Sequence, residues 1–304
     1  MRLVTFREGS DRDRVGLLLD DRVFDLNAAS WDGPTPTSMR ELIGRPGWRQ
    51  EVARKQADAG AGSLDDGLPL DAVNLRAPVP EPSKVIAIGA NTWSHLKESA
   101  QFTAAQPSSR PLLIGKAPSS VIGDGKAIPK PADTGQLDYE VELGVIIGRT
   151  ARAVSVNDAF DVVAGYTVTN DVTARDIQLQ DREASALYVQ HFLSKSCDGF
   201  CPAGPALVTT EEVEDVRALT LETRVNGAVR QNSDVSDLVV PVEELVAFTT
   251  RYMTLLPGDL ILTGSPAGVG YFMDPPSFLE PGDVVTCSVG GIGSVTNPII
   301  DASG

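Results

Sequence analysis

Residues 137–147 alternate as a strand does, yet they carry three carboxylates where an ordinary core strand would carry none. On an extended backbone Tyr139, Val141, Leu143, Val145 and Ile147 share one face, and Asp138, Glu140 and Glu142 share the other. Neighbouring acids on one face lie about 7 Å apart, so they repel unless a cation stands between them. Two readings are open: an edge strand with a polar outer face, or a set of ligands for a hard divalent cation. The apolar surroundings count against a freely solvated face. Mg²⁺ or Mn²⁺ suits the pair Glu140 and Glu142 better than zinc does, because no His or Cys lies nearby.

Two later segments bear on this choice. Residues 164–171 read as a strand closing in a polar turn, and Asp171 at its end can complete a facial ligand set. The alternative for Asp171 is an N-cap of the following turn, a role that Asn170 could fill instead. Lys195 stands in the weakly charged, apolar stretch 192–200. It is a solvated surface residue or a buried cation beside an anionic ligand, and its flanks favour the second.

Five segments in a fixed order resemble the fumarylacetoacetate hydrolase family. They are residues 84–98, Asp138-Tyr139-Glu140-Val141-Glu142-Leu143, residues 165–178, Lys195-Ser196-Cys197-Asp198, and Leu262-Thr263-Gly264-Ser265-Pro266-Ala267-Gly268-Val269-Gly270. Together they span residues 84–300. The resemblance implies a β-rich mixed α/β fold with a coiled, barrel-like catalytic domain, and a homodimer. It also implies chemistry on keto acids at one metal site, whether hydrolysis, decarboxylation, hydration or isomerisation. In the same reading, Thr263, Gly264 and Ser265 form a polar wall against the substrate carboxylate, a plain turn being the alternative for Ser265.

His95 and Glu98 are spaced i, i+3, so one helical turn sets them side by side. Alone, such a pair reads as an exposed histidine on a surface helix. The resemblance places a catalytic pair at this Asn-x-x-x-His-x-x-Glu position, with Glu98 orienting the imidazole as a general base. Relatives often have Asn-Tyr where this chain has Asn91-Thr92-Trp93, a departure in the expected pocket wall. The second histidine, His191, has no carboxylate partner in these segments and reads as structural. Lys116 and Lys130 flank the Gly123-Asp124-Gly125 turn as surface residues or anion contacts, the surface role being favoured for Lys130. Two apparent motifs fail on spacing. Gly290-Gly291-Ile292-Gly293 lacks the third glycine of a dinucleotide fingerprint, and Pro266 spoils a nucleophile elbow at Ser265.

Composition narrows the class. A net charge of -15 excludes a basic nucleic-acid face, and it means that an anionic substrate must be drawn in by a local cation. No apolar run approaches the roughly 20 residues of a membrane span. The charged start of the chain does not read as a signal peptide, and Cys197, Cys201 and Cys287 fit no zinc pattern. Reduced thiols in a cytoplasmic protein are the simplest expectation.

Val79-Pro80-Glu81-Pro82 suggests a boundary between a small N-terminal α+β domain, 1–78, and a catalytic domain, 79–304. The first is expected to hold strands at 1–6 and 14–19 and a helix over 38–59. In the second, Asn226-Gly227 signals a hairpin, residues 242–253 a helix, and the aperiodic stretch 99–111 a loop or lid.

The functional expectation is divalent-metal-dependent hydrolysis of a C–C bond in a 2,4-diketo acid. Glu140, Glu142 and Asp171 hold the metal, His95 with Glu98 activates water, and Lys195 and Gln178 stabilise developing negative charge. Decarboxylase, tautomerase, isomerase or hydratase action on a 2-keto acid is the alternative, as is keto-acid binding without turnover. Exhaustive chelation is expected to abolish activity, and Asp171→Ala to lose both Mn²⁺ binding and turnover. Full activity after chelation would refute the metal assignment.

Overall fold

The protein is described by a computed structural model that covers residues 1–9, 12–61, 66–100, 110–180, 187 and 189–302. Before residue 78 lie strands β1 (Arg2–Arg7), β2 (Arg14–Leu19), β3 (Arg22–Asp25), β4 (Leu68–Pro69) and β5 (Asn74–Leu75), with helices α1 (Met39–Ile43) and α2 (Trp48–Gly60). Then follow β6 (Val85–Gly89), helix α3 (Trp93–Ser99), β7 (Leu112–Lys116), β8 (Val121–Ile122), β9 (Ile128–Lys130) and β10 (Leu137–Asp138). Next come β11 (Val141–Ile147), β12 (Val163–Asn170), β13 (Thr173–Ala174), and the short helices α4 (Arg175–Leu179) and α5 (His191–Lys195). The order ends with β14 (Cys201–Thr209), β15 (Thr220–Val225), β16 (Ala228–Asp234), helix α6 (Val242–Tyr252), β17 (Leu260–Leu262), β18 (Val284–Val289) and β19 (Gly293–Asp301).

The largest sheet runs β4-β3-β2-β1-β14-β12-β11-β17-β6-β7, with β5 added to β1 and β8 to β14. It is mixed, since β17 and β6 are parallel while most pairs are antiparallel. A second sheet has the order β16-β15-β18-β19-β9. The fold is thus mixed α/β and β-rich, with no closed barrel among the described residues. β1 pairs directly with β14, Leu3 opposite Leu207, so the strands before residue 78 continue the sheet of those after it.

β11 is buried on both faces, which is why its period-2 pattern carries no solvated side. Val141, Leu143, Val145 and Ile147 join Tyr166 and Val168 against Leu221, Val225, Val285 and Val295 of the second sheet. Ile146, on the opposite face, packs in the cluster of Met39, Leu42, Trp48 and Val52 from α1 and α2. Each such aliphatic side chain contributes about 1.5–3 kcal/mol when fully buried. Glu142 occupies the same face as Ile146, four residues nearer the start of the strand.

The structure corrects several expectations. Residues 137–147 are not one strand: β10 pairs with β13 and β11 with β12. The chain breaks step at Tyr139-Glu140, where the Glu140 N–H donates to Asn170 Oδ1 at 2.9 Å and the Asp171 N–H donates to the Glu140 carbonyl at 2.8 Å. The helix expected over 38–59 is two helices. Ser38 caps α1, and Gly44-Arg45-Pro46-Gly47 then interrupts it, with Gly47 in the left-handed region at φ 73°. Lys130 is buried in β9 and pairs with Glu280 rather than lying on the surface. The Asn226-Gly227 hairpin joins β15 and β16 with both residues at positive φ, as a type I′ turn requires. In the stretch read as a lid, residues 101–109 lie outside the described residues. No helix among the described residues is long and apolar enough to cross a membrane.

Asp259 fixes the entry into β6. It is buried, accepts from the Lys84 and Leu256 N–H groups at 3.0 and 2.8 Å, and pairs with Lys84 Nζ at 3.0 Å. Asp259→Ala leaves two half-buried N–H groups and the Lys84 ammonium without their acceptor and is expected to cost roughly 1–3 kcal/mol. An unchanged urea midpoint would contradict this account.

Candidate metal centre and catalytic cavity

Three elements bring the acids together. Glu142 comes from the first turn of the pleat in β11, Glu140 from the break before it, and Asp171 from the end of β12. All three are buried, and one ligand oxygen from each lies within 4.8 Å of the others. Burial of three carboxylates is costly unless each is matched by a cation or donors. Lys195 Nζ meets that demand between Glu140 Oε2 at 3.0 Å and Asp171 Oδ2 at 2.5 Å, with its third donor on Thr173 Oγ1 at 2.8 Å. Lys116 Nζ reaches Asp171 Oδ1 at 2.5 Å. Arg175 closes the other side, Nη2 on Glu140 Oε1 at 2.6 Å and Nε on Asp138 Oδ2 at 2.9 Å.

These contacts set the electrostatics unevenly. Burial alone would raise the Glu140 carboxyl, but Lys195 and Arg175 outweigh it and hold it well below the usual range. Burial would likewise lower the Lys195 ammonium, yet Asp171 and Glu140 raise it. Glu142 goes the other way: burial, then the charges of Asp171 and Glu140, push it well above the ordinary carboxyl value. Among the described residues no cation contacts Glu142 directly: it accepts from the Gly264 N–H, and the Lys195 charge acts on it only from further off. The cluster therefore lacks one cation at an all-oxygen donor set, which is the setting that suits a hard divalent ion. The residues fit such an ion.

His95 and Glu98 lie on α3. Thr92 caps that helix, its Oγ1 accepting from the His95 N–H at 3.3 Å and donating to the Ser265 carbonyl at 2.7 Å. Here the Asn91-Thr92-Trp93 departure has a function: Asn91 ties to Val240 and Thr263, Thr92 makes the cap, and Trp93 is partly exposed. His95 Nδ1 contacts Glu98 Oε1 at 2.7 Å, and Glu98 Oε2 accepts from the Gly268 N–H at 2.9 Å. The i, i+3 pair is thus formed and anchored, not a solvated surface histidine.

A cavity of about 280 Å³ is lined by His95, Glu140, Glu142, Asp171, Arg175, Gln178, His191, Lys195 and Ser265, together with Ile88, Leu112, Ile114 and Phe272. Of the expected polar wall, only Ser265 lines it. Thr263 spends its hydroxyl on the Leu143 carbonyl, and Gly264 donates its N–H to Glu142, so both support the acids instead of facing a ligand. Lys116 does not line the cavity either, being turned onto Asp171. Asp171 itself is not an N-cap, since α4 starts after Ala174.

Other residues escaped the sequence reading. Arg175 bridges Asp138 and Glu140. Asp138 also accepts from the Gly270 and Tyr271 N–H groups, tying that bridge to the aromatic wall. Gln231, buried on β16, accepts from the Val141 N–H and donates to Ser265 Oγ and the Pro266 carbonyl. His191, read as structural, lines the cavity with Nδ1 at 3.2 Å from Gln178 Nε2.

Gly268 is the support of the His95–Glu98 pair that tolerates least change. Its φ is 102°, and a Cβ there would lie 2.2 Å from the Arg230 carbonyl oxygen. Gly268→Ala is expected to shift the N–H that holds Glu98 and lower turnover roughly 10–100-fold, with Mn²⁺ affinity unchanged. Loss of Mn²⁺ binding in that variant, read by electron paramagnetic resonance, would show that the loop supports the metal ligands instead.

Residues 84–300 match the family described as "Fumarylacetoacetate (FAA) hydrolase C-terminal". The chain is 38% identical over 306 residues to "Oxaloacetate tautomerase fahd2, mitochondrial" of Xenopus laevis, covering 99% of this chain and 90% of that protein. It is 38% identical to "Oxaloacetate tautomerase YisK" of Bacillus subtilis over 94% of this chain and 95% of that one. Among solved structures, maleylpyruvate hydrolase from Sphingobium sp. SYK-6, in complex with manganese(II) and pyruvate, superposes with a TM-score of 0.77. That match has 29% identity and covers 100% of both chains. With these matches over the strands, acids and loops just described, the chain belongs to the fumarylacetoacetate hydrolase family.

Proposed function

We propose that the protein is a divalent-metal-dependent tautomerase of a 2-oxo acid of the oxaloacetate type. The observation that carries this reading is one cavity lined by both the buried acid trio and the His95 imidazole, which Glu98 orients. The choice of tautomerisation over C–C hydrolysis rests on the relatives named oxaloacetate tautomerase, which match along nearly the whole chain. The isomerase alternative of the sequence reading thus replaces its hydrolytic main reading. C–C hydrolysis stands second, favoured by the likeness to maleylpyruvate hydrolase.

Glu140, Glu142 and Asp171 would hold Mg²⁺ or Mn²⁺, which would supply Lewis acidity to a 2-oxo acid. His95, held by Glu98, takes a proton from the carbon next to the ketone. The C–H electron pair becomes the C=C bond, and negative charge develops on the former ketone oxygen. Lys195 and Arg175 balance the acids around that charge. Return of the proton to oxygen completes the keto–enol exchange with no net consumption of water. Ile88, Leu112, Ile114 and Phe272 keep much of the cavity wall apolar, which limits competing attack by water.

The test follows enol loss from oxaloacetate by ultraviolet absorbance in the presence of Mn²⁺. His95→Ala is expected to retain Mn²⁺ binding and lose about 10²–10⁴-fold in rate, the scale of a positioned base. Loss of Mn²⁺ affinity in His95→Ala would overturn the separation of base from metal. Cleavage of an acylpyruvate without enol–keto exchange would select the hydrolytic reading.

A further inference from the structure

Among the described residues, two nitrogen-bearing side chains that line the cavity are not used by the metal cluster or by its proton carrier. The cations are committed: Lys195 to Glu140, Asp171 and Thr173, and Arg175 to Asp138 and Glu140. Among the other polar lining residues, His95 is held by Glu98, Ser265 by Gln231, and Ser99 donates to the Leu96 carbonyl. Besides the Tyr271 phenol, Gln178 and His191 remain, joined to each other at 3.2 Å.

Their chemistry follows from the atoms in contact. An amide nitrogen only donates, so His191 Nδ1 accepts, and the ring proton sits on Nε2. Burial, followed by the nearby Lys195 charge, pushes the His191 titration down, which favours this neutral tautomer. The pair is left with two N–H donors, the second amide hydrogen of Gln178 and His191 Nε2–H. Neither meets an acceptor among the described residues. Two neutral donors on side chains that line one cavity beside an apolar wall suit a carboxylate, since among the described lining residues Lys195 and Arg175 are already paired with acids.

We propose that His191 is a specificity-determining residue that selects dicarboxylic 2-oxo acids. It donates Nε2–H to the carboxylate remote from the ketone and holds Gln178 for the same purpose. This deepens the tautomerase reading and rests on it for the substrate class alone.

The experiment measures binding to the Mn²⁺-loaded full chain by isothermal titration calorimetry. The probes are 3,3-difluorooxaloacetate, which has no hydrogen on the reacting carbon, and pyruvate, which lacks the second carboxylate. His191→Phe keeps a ring without either nitrogen. It is expected to weaken the diacid about 10–100-fold, the scale of one hydrogen bond to a charged group, and to leave pyruvate unchanged. His191→Gln, which restores an amide donor, is expected to recover most of the diacid affinity. An unchanged diacid affinity in His191→Phe, or equal weakening of both probes in both variants, overturns the proposal. Because the readout is binding, absence of oxaloacetate tautomerisation by the native protein would defeat the functional reading while leaving this discrimination standing.

Discussion

The structure depends on holding three carboxylates together out of water. Ligand oxygens of Glu140, Glu142 and Asp171 within 4.8 Å would repel strongly in a dry interior. Lys116, Lys195 and Arg175 answer that repulsion from three separate elements, β7, α5 and α4. The cations are themselves buried, so each depends on the acids as much as the acids depend on it. Removing one member would strand the opposite charge, which costs far more than a surface pair does. The contacts are lopsided: Glu140 and Asp171 are paired directly with cations, whereas Glu142 meets only the Gly264 N–H and its carboxyl is pushed well above the ordinary value by burial and by Asp171 and Glu140.

Around that centre, the His95–Glu98 pair is anchored to the backbone of a neighbouring loop. Glu98 is held by an N–H of a loop whose glycine admits no Cβ, and α3 is capped by Thr92 against the same loop. Gln231 fixes the loop from the second sheet by bonding Ser265, Pro266 and Val141 at once. The second sheet thus reaches the cavity through one buried amide. Its remaining contribution is apolar, through the cluster shared with β11 and β12.

The acid trio was legible because alternation and local apolarity are properties of neighbouring residues, and Glu140, Glu142 and Asp171 each sit in such a segment. The β-rich mixed fold, the Asn226-Gly227 hairpin and α6 were legible for the same reason. The break at Tyr139-Glu140 was not, since it is made by Asn170, thirty positions away, taking the Glu140 N–H. Arg175 and Gln231 escaped likewise, their partners lying 35 and 90 positions off along the chain. His191 was read as structural because a carboxylate was sought beside it; its contact, an amide 13 positions earlier on the cavity wall, was not legible from that search. Lys130 was assigned by its turn, yet the parallel pairing of β9 with β19 carries it inside.

The pairing of β1 with β14 has a consequence for how the chain is made. Leu3 faces Leu207, so β1 finds this neighbour only after about 200 more residues have been made, a long-range closure of the kind that slows folding. At ribosomal speeds of about 5–20 residues per second, that interval lasts roughly 10–40 s. β2 can shelter one side of β1 early, as a local hairpin. On the other side β5 can take Phe6 and Arg7 once residue 75 is made, but the Arg2–Leu3 end stays an unpaired edge through the whole interval, the kind of edge that is prone to edge-to-edge association.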